Sequence, residues 1–422
     1  DAASALGGTC LHRGCVPTKA YLHAASLYHE AENGQSLGLQ GQLTFDRAQM
    51  LRYKDGIVDQ LCAGLSQLMK ANRIDVYEGN GTLWGATSPF CVQVGETALT
   101  AKHVILATGS MPARLPVPGC DDPEVWTSDD LLSSKGAEPF ESLCIIGGGV
   151  IGVEMASIYA KLGVCVTLIE AEKNCLPMLD RELSRAAETL LKELGCTLYT
   201  GARLEKIERA ESGFTITSDK AALTARRVLL ATGRRPVLDG AVSEAVNLLH
   251  NGRFLAADAH YETSVPGVYA IGDVNGEMQL AHAAHAQGVC AVSHILGVES
   301  PILPKLAPSC VYTSPEIASV GLTQDEAKAS GRDVVCVKAL TSGNARTLIE
   351  GLGRGFIKLV LEKQTKVLLG AQLFCGRATD LIGELALGVA RGMTAQEMLL
   401  PMRAHPTFYE AVTDALEAAI KK

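Results

Sequence analysis

A chain of 422 residues, 47% hydrophobic and 20% charged with 42 glycines, exceeds what one core organises and reads as a soluble, turn-rich globular protein of about two to four domains. Its net charge of −8 is mixed in sign along the chain, which argues against nucleic acid as a partner, and no apolar run reaches the roughly eighteen residues a spanning helix needs. Thirteen cysteines over such a length fit a reducing, cytoplasmic setting with one special pair better than a secreted disulfide framework.

That pair opens the chain, in Gly7-Gly8-Thr9-Cys10-Leu11-His12-Arg13-Gly14-Cys15-Val16-Pro17-Thr18-Lys19. In a regular helix five steps carry Cα about 7.5 Å along the axis, beyond the usual disulfide range of about 4.4–6.8 Å, so a bridging pair needs a bend. Gly14 removes the side-chain penalty for one, and Pro17 suits the first turn of a helix. A thiol near that helix N-terminus, with Lys19 close behind, ionises more easily, and the thiolate is the reactive form. Dithiol–disulfide exchange is one reading; two unpaired cysteines in a glycine-rich turn is the other.

The spacing of apolar residues predicts helices over Ala20 to Glu32 and Phe45 to Ala71, then short strands from Ile74 to Leu99 with Gly79, Gly81 and Gly85 at turns. Val104 to Leu106 is a buried strand ending in the turn Ala107-Thr108-Gly109-Ser110. It recurs as Val228 to Leu230 followed by Ala231-Thr232-Gly233. Each copy follows a segment expected to be an antiparallel insertion, Asp75 to Leu99 and Cys196 to Leu223, which points to two related nucleotide-binding units.

The second unit opens with the strand Leu143 to Ile146, then Gly147-Gly148-Gly149-Val150-Ile151-Gly152, a helix from Val153 that includes Glu154, and the strand Val164 to Ile169 ending at Glu170. Strand, G-x-G-x-x-G, helix, strand and terminal acid in that order form a dinucleotide fingerprint. The glycines let the backbone approach a pyrophosphate at the helix N-terminus, and Glu170 falls where an acid accepts from ribose hydroxyls. Glu170 and Glu172 would repel a 2′-phosphate and only Lys173 stands nearby, which favours NAD over NADP.

Further on, Tyr269 to Val274 is a strand ending in Gly272-Asp273, followed by Leu280-Ala281-His282. From Pro304 the chain turns to strand-rich and helical stretches of α+β character. Near the end stands His405-Pro406-Thr407-Phe408-Tyr409-Glu410, which alone reads as surface packing. No residue is assigned to a metal.

The whole ordered set resembles the flavin-dependent pyridine nucleotide–disulfide oxidoreductases. That resemblance implies two Rossmann-like α/β domains, for FAD and NAD, and a C-terminal α+β dimerisation domain. The expected divisions are 1–140 for FAD, 141–262 for NAD, 263–303 for the return to the FAD domain and 304–422 for the interface. It makes Cys10 the interchange thiol, Cys15 the thiol facing the flavin, and Lys19 and Glu154 an ion pair beside it. His405 becomes the acid–base residue with Glu410 as its orienting partner, reaching the site from the second subunit of a homodimer.

By the same resemblance Gly81, Thr108, Gly109, Ser110, Asp273 and Ala281 belong with FAD, and Gly233 with NAD. The implied substrate is a dithiol or disulfide, with Glu170 and the terminal string favouring a lipoyl group on a carrier protein. Another disulfide or mercuric ion is the rival substrate, although Ala411 to Lys422 lacks the cysteine pair of mercuric reductases. The family also carries a first G-x-G-x-x-G unit upstream of the cysteine segment that this sequence does not contain. The sequence is therefore expected to be part of a longer enzyme, the alternative being a catalytically silent dinucleotide-binding or dimerisation module.

Overall fold

In the computed structural model, which describes residues 5–422, the cysteine segment is two helices with a break between them. α1 (Gly8–Arg13) and α2 (Cys15–Glu32) meet at Gly14. α3 (Arg47–Ala71) starts where the Asp46 carboxylate accepts from the Gln49 N–H at 3.0 Å, and it packs on α2. An oxygen-bearing cap of this kind ends the search for partners at a helix N-terminus.

The stretch expected to be strand from Ile74 divides. β1 (Gly81–Trp84), β2 (Phe90–Val94) and β3 (Thr97–Ala101) form an antiparallel meander, but residues 74–79 form no strand. Ile74 and Val76 are 51% and 44% exposed. An apolar, extended run becomes a strand only when a neighbouring backbone pairs with it, and among the described residues no ladder does. β4 (Val104–Leu106) pairs in parallel with Val268–Ala270, and the Ala107-Thr108-Gly109 turn leads into β5 (Ser110–Pro112).

The central unit contains β6 (Val125–Thr127), β7 (Ser142–Ile146), β8 (Cys165–Glu170) and β9 (Thr197–Thr200), the meander β10 (Leu204–Ala210), β11 (Gly213–Ser218) and β12 (Ala222–Ala225), and then β13 (Arg227–Leu230). β6-β13-β7-β8-β9 is a five-stranded, wholly parallel sheet. The segment Cys196 to Leu223 is therefore not antiparallel throughout. Its first strand, β9, joins the parallel sheet because β8 presents an open edge beside it.

Side chains alternate across this sheet as period 2 requires. Leu143, Ile145, Val166 and Leu168 pack with Val153 and Ala156 of the helix Val150–Lys161, whereas Cys144, Ile146 and Ile169 pack with Phe214 and Ile216 of the meander. Both faces are dry, which explains the unbroken apolar run of β7. β14 (Arg234–Pro236) then crosses to the first unit and pairs antiparallel with β5. The two Ala-Thr-Gly turns hold each other there: the Val237 N–H donates to Gly109 O, and the Ala113 N–H donates to Gly233 O, both at 3.0 Å.

The C-terminal unit is a five-stranded antiparallel sheet in the order Ser309–Val311, Glu316–Gly321, Leu368–Cys375, Phe356–Glu362, Val334–Leu340. Ala378–Arg391 and Glu410–Ile420 cover it, sharing one core with Ile357, Leu359, Ala371 and Leu373.

Candidate active site

The bend that a working cysteine pair requires lies at Gly14. A Cβ added there would stand 2.9 Å from Thr9 O and 3.4 Å from the Cys10 Cα, so only glycine lets the end of α1 fold this closely on the start of α2. The Thr18 N–H and hydroxyl both donate to Gly14 O, at 3.0 and 2.6 Å, and fix the new helix.

Cys10 and Cys15 are thiols here, joined by a hydrogen bond between their sulfurs. That bond dominates both acidities. Cys15 accepts it and its pKa falls to about 7, with Lys19 adding to the effect and burial opposing it. Cys10 holds the proton, so its pKa is raised, and burial raises it further. Of the two, Cys15 is the one whose ionisation is favoured, at the first position of α2, where the helix dipole adds to the effect.

One turn on, Lys19 Nζ meets Glu154 Oε2 at 2.9 Å and Oε1 at 3.2 Å. Glu154 is 3% exposed, a burial that only a pair with further hydrogen bonds sustains. The third partner comes from the C-terminal unit: the Tyr312 N–H donates to Glu154 Oε1 at 2.9 Å, and the Tyr312 ring lies beneath the ammonium, 4.3 Å from its centroid. Tyr312 stood out in the sequence only as part of a strand-rich run. Its signal was an aromatic at a strand end before a Ser-Pro turn, which many surface loops share.

At the central glycine turn, Gly147 takes φ +110°, and an added Cβ would lie 2.3 Å from Ala231 O. A Cβ on Gly152 would lie 1.9 Å from Gly147 O. Gly148 donates its N–H to Glu170 Oε2 at 2.5 Å while the Glu172 N–H donates to Oε1 at 2.7 Å. Gly149, Val150 and Ile151 open the helix Val150–Lys161, whose N-terminus has no side-chain cap. A helix N-terminus without a side-chain cap is suited to an anion, and Gly233, at φ +95° with open space where a Cβ would be, lies in the neighbouring Ala-Thr-Gly turn.

In the first unit, Thr108 and Gly109 (φ +72°) turn the chain so that the Ser110 hydroxyl donates to Asp273. Arg234, which sequence reasoning missed, donates Nε to Ser110 Oγ at 2.7 Å and Nη2 to Ser110 O at 2.8 Å, with Nε 3.7 Å from Asp273 Oδ2. Gly272 is held by its N–H on Gln287 Oε1 at 2.6 Å. Ala281 begins the helix Ala281–Ile295, again without a side-chain cap. Gly81 is the first residue of β1, in the meander, and makes no hydrogen bond to this cluster among the described residues.

His405 Nδ1 lies 2.8 Å from Glu410 Oε1, and the Thr407 N–H donates to Glu410 Oε2 at 2.9 Å. The His405 bond, then that N–H, hold the Glu410 carboxyl below its ordinary range. The pair lies apart from the thiols: His405 is 73% exposed, and among the described residues no hydrogen bond or ion pair links it to Cys10 or Cys15. Within one chain, the acid–base pair and the dithiol are separate constellations.

A dithiol polarised against a buried ion pair, with two glycine-turn nucleotide units behind it, defines a disulfide oxidoreductase, and comparison with known proteins agrees. The profile of the pyridine nucleotide-disulphide oxidoreductases matches residues 2–288, and that of their dimerisation domain matches 307–416. Dihydrolipoyl dehydrogenase of Bacillus subtilis (strain 168) is 37% identical, over 98% of this chain and 91% of the relative. The enzyme of that name from Halobacterium salinarum is 35% identical over 99% and 90%. Among solved structures, LpdA from Mycobacterium tuberculosis superposes with a TM-score of 0.91 at 26% identity, over 99% of this chain and 92% of that one. The HOCl-induced flavoprotein disulfide reductase RclA from Escherichia coli gives 0.87 at 25%, over 99% and 92%. The chain belongs to the pyridine nucleotide-disulphide oxidoreductase family.

Proposed function

We propose that this protein is a dihydrolipoyl dehydrogenase that works as a homodimer with FAD and NAD, oxidising the dithiol of a lipoyl group on a carrier protein. The observation that carries this reading is the cysteine pair folded together at the Gly14 break, with the buried Lys19–Glu154 ion pair one turn further on.

The residues present fit NAD and supply part of a flavin site. The helix N-terminus at Gly149 to Ile151, which has no side-chain cap, suits a pyrophosphate, and Glu170, fixed by Gly148 and Glu172, suits ribose hydroxyls. Asp273, Ser110 and the uncapped helix at Ala281 offer hydrogen-bond partners for a flavin, with Lys19 and Glu154 beside Cys15. When bound, FAD supplies the two-electron carrier between the dithiol and NAD.

In the oxidised state, a thiolate of the dihydrolipoyl group attacks Cys10 of a Cys10–Cys15 disulfide. The sulfur–sulfur bond breaks and Cys15 leaves as thiolate, stabilised by Lys19. The second substrate thiol then displaces Cys10, forming the lipoyl disulfide and leaving Cys10 reduced. His405, oriented by Glu410 and contributed by a second copy, takes the substrate proton and returns one to Cys10. Exposed Leu340, Leu348, Ile349, Leu400 and Met402 on the C-terminal unit support such a pairing. Among the described residues no helix is long and apolar enough to cross a membrane. We assign the protein to the cytoplasm, whose reducing pool suits the many cysteines outside the Cys10–Cys15 pair.

The test is turnover of dihydrolipoamide with NAD by the purified protein. Cys10→Ser should abolish it, and His405→Ala should lower it about 10²-fold or more. Undiminished turnover in Cys10→Ser, or a strong preference for NADP over NAD, would remove the assignment.

A further inference from the structure

The Lys19–Glu154 pair is where three parts of the chain converge, and the third part has no role in the chemistry so far. α2 brings Lys19, the helix Val150–Lys161 brings Glu154, and the strand Ser309–Val311 delivers Tyr312. Tyr312 touches both charges at once, through its N–H to Glu154 Oε1 at 2.9 Å and its ring face under Lys19 Nζ at 4.3 Å. The ammonium is a third exposed and the carboxylate nearly fully buried. Glu154 alone would therefore leave the cation free to swing toward water. An aromatic face attracts a cation electrostatically and more strongly where water is scarce.

We propose that Tyr312 is a positioning residue for the dithiol: its ring holds the Lys19 ammonium between Glu154 and the Cys15 sulfur, so that the positive charge stays directed at the thiolate. This rests on the reading of Cys15 as the charged member of the pair. The groups that face Cys15 are Cys10 from α1, Lys19 from α2 and Glu154 from the helix Val150–Lys161. Around Tyr312 stand Glu154, Cys15, Cys310 and Glu316. Lys19 is the one cation among them, so its placement decides the sign of the local field. Glu154 acts against the thiolate, and a cation that drifted to the far side of that carboxylate would leave the repulsion uncancelled.

The experiment is the pH profile of Cys15 alkylation by iodoacetamide, read from the mass of its peptide, on the protein with and without FAD. Tyr312→Leu keeps apolar bulk and removes the ring; Tyr312→Phe keeps the ring. Leu should move the Cys15 midpoint upward by about half a pH unit, which slows alkylation at about pH 6 roughly threefold. Phe should leave it in place. Fluorinated phenylalanines at 312 preserve shape while draining the ring face, and the midpoint should climb with each fluorine. This series covers the case in which the Leu variant does not fold.

A midpoint indifferent to fluorination, or an equal shift in Phe and Leu, overturns the inference while leaving the reading of the site intact. A wild-type Cys15 that titrates as an ordinary thiol overturns both.

Discussion

The two nucleotide units share a closing run of meander, strand and Ala-Thr-Gly turn, and differ in what stands before it. In the second, β9 (Thr197–Thr200) lies against β8 in parallel register, and the meander β10 to β12 and strand β13 follow. In the first, the meander β1 to β3 and strand β4 follow residues 74–78, which occupy the place of β9 and form no strand. The sequences are alike in character, Ile-Asp-Val-Tyr against Thr-Leu-Tyr-Thr. What differs is the neighbour: the second unit offers the edge of a sheet already built from β7 and β8, while among the described residues β4 pairs with Val268–Ala270 alone. Strand formation is decided by the available partner more than by the strand's own residues.

The comparison is broken most forcefully in the unit that is complete. Gly152→Val would drive a side chain into Gly147 O, already only 1.9 Å from an added Cβ. NADH affinity should fall more than about 10²-fold, or the central unit should fail to form, as read by dinucleotide titration and circular dichroism. Leu168→Ala empties a fully buried site between sheet and helix and should cost about 2–5 kcal/mol in denaturant unfolding.

Gly109→Ala and Gly233→Ala sharpen the likeness. Both glycines have positive φ and open space at Cβ, so each should cost the same, about 1 kcal/mol. A large disparity between them would show that the two turns are not equivalent. The smallest effect belongs to Ile74→Ser, expected within about 0.5 kcal/mol because the side chain is half exposed. Backbone amides of residues 75–78 should exchange with solvent far faster than those of 198–200. Protection in the first segment equal to that in β9 would mean that it pairs in solution.

Much of the site was legible because its signals are local. The break at Gly14, the turn from Gly147 to Gly152 with Glu170, and the His405–Glu410 pair each lie within one short stretch or one strand–helix–strand unit. The helices α2 and α3 followed from apolar spacing alone. Contacts across units were not legible from the segments themselves: Lys19 with Glu154, 135 positions apart, was expected only from the family resemblance, and two others were missed. Tyr312 reaches Glu154 over 158 positions and Arg234 reaches Ser110 over 124, and no periodicity within either segment encodes a contact that only the packing of separate units creates. Residues 74–79 failed for the converse reason, since their pattern is strand-like and the ladder it requires lies outside the pattern itself.

The reciprocal bonds between the two glycine turns have a consequence for how this molecule tolerates change. Val237 with Gly109 and Ala113 with Gly233 are main-chain contacts, so the offset between the two units is gauged by atoms that every residue possesses. Side chains around this seam are free to drift without altering that offset, whereas one inserted or deleted residue in either turn would throw the two halves out of alignment.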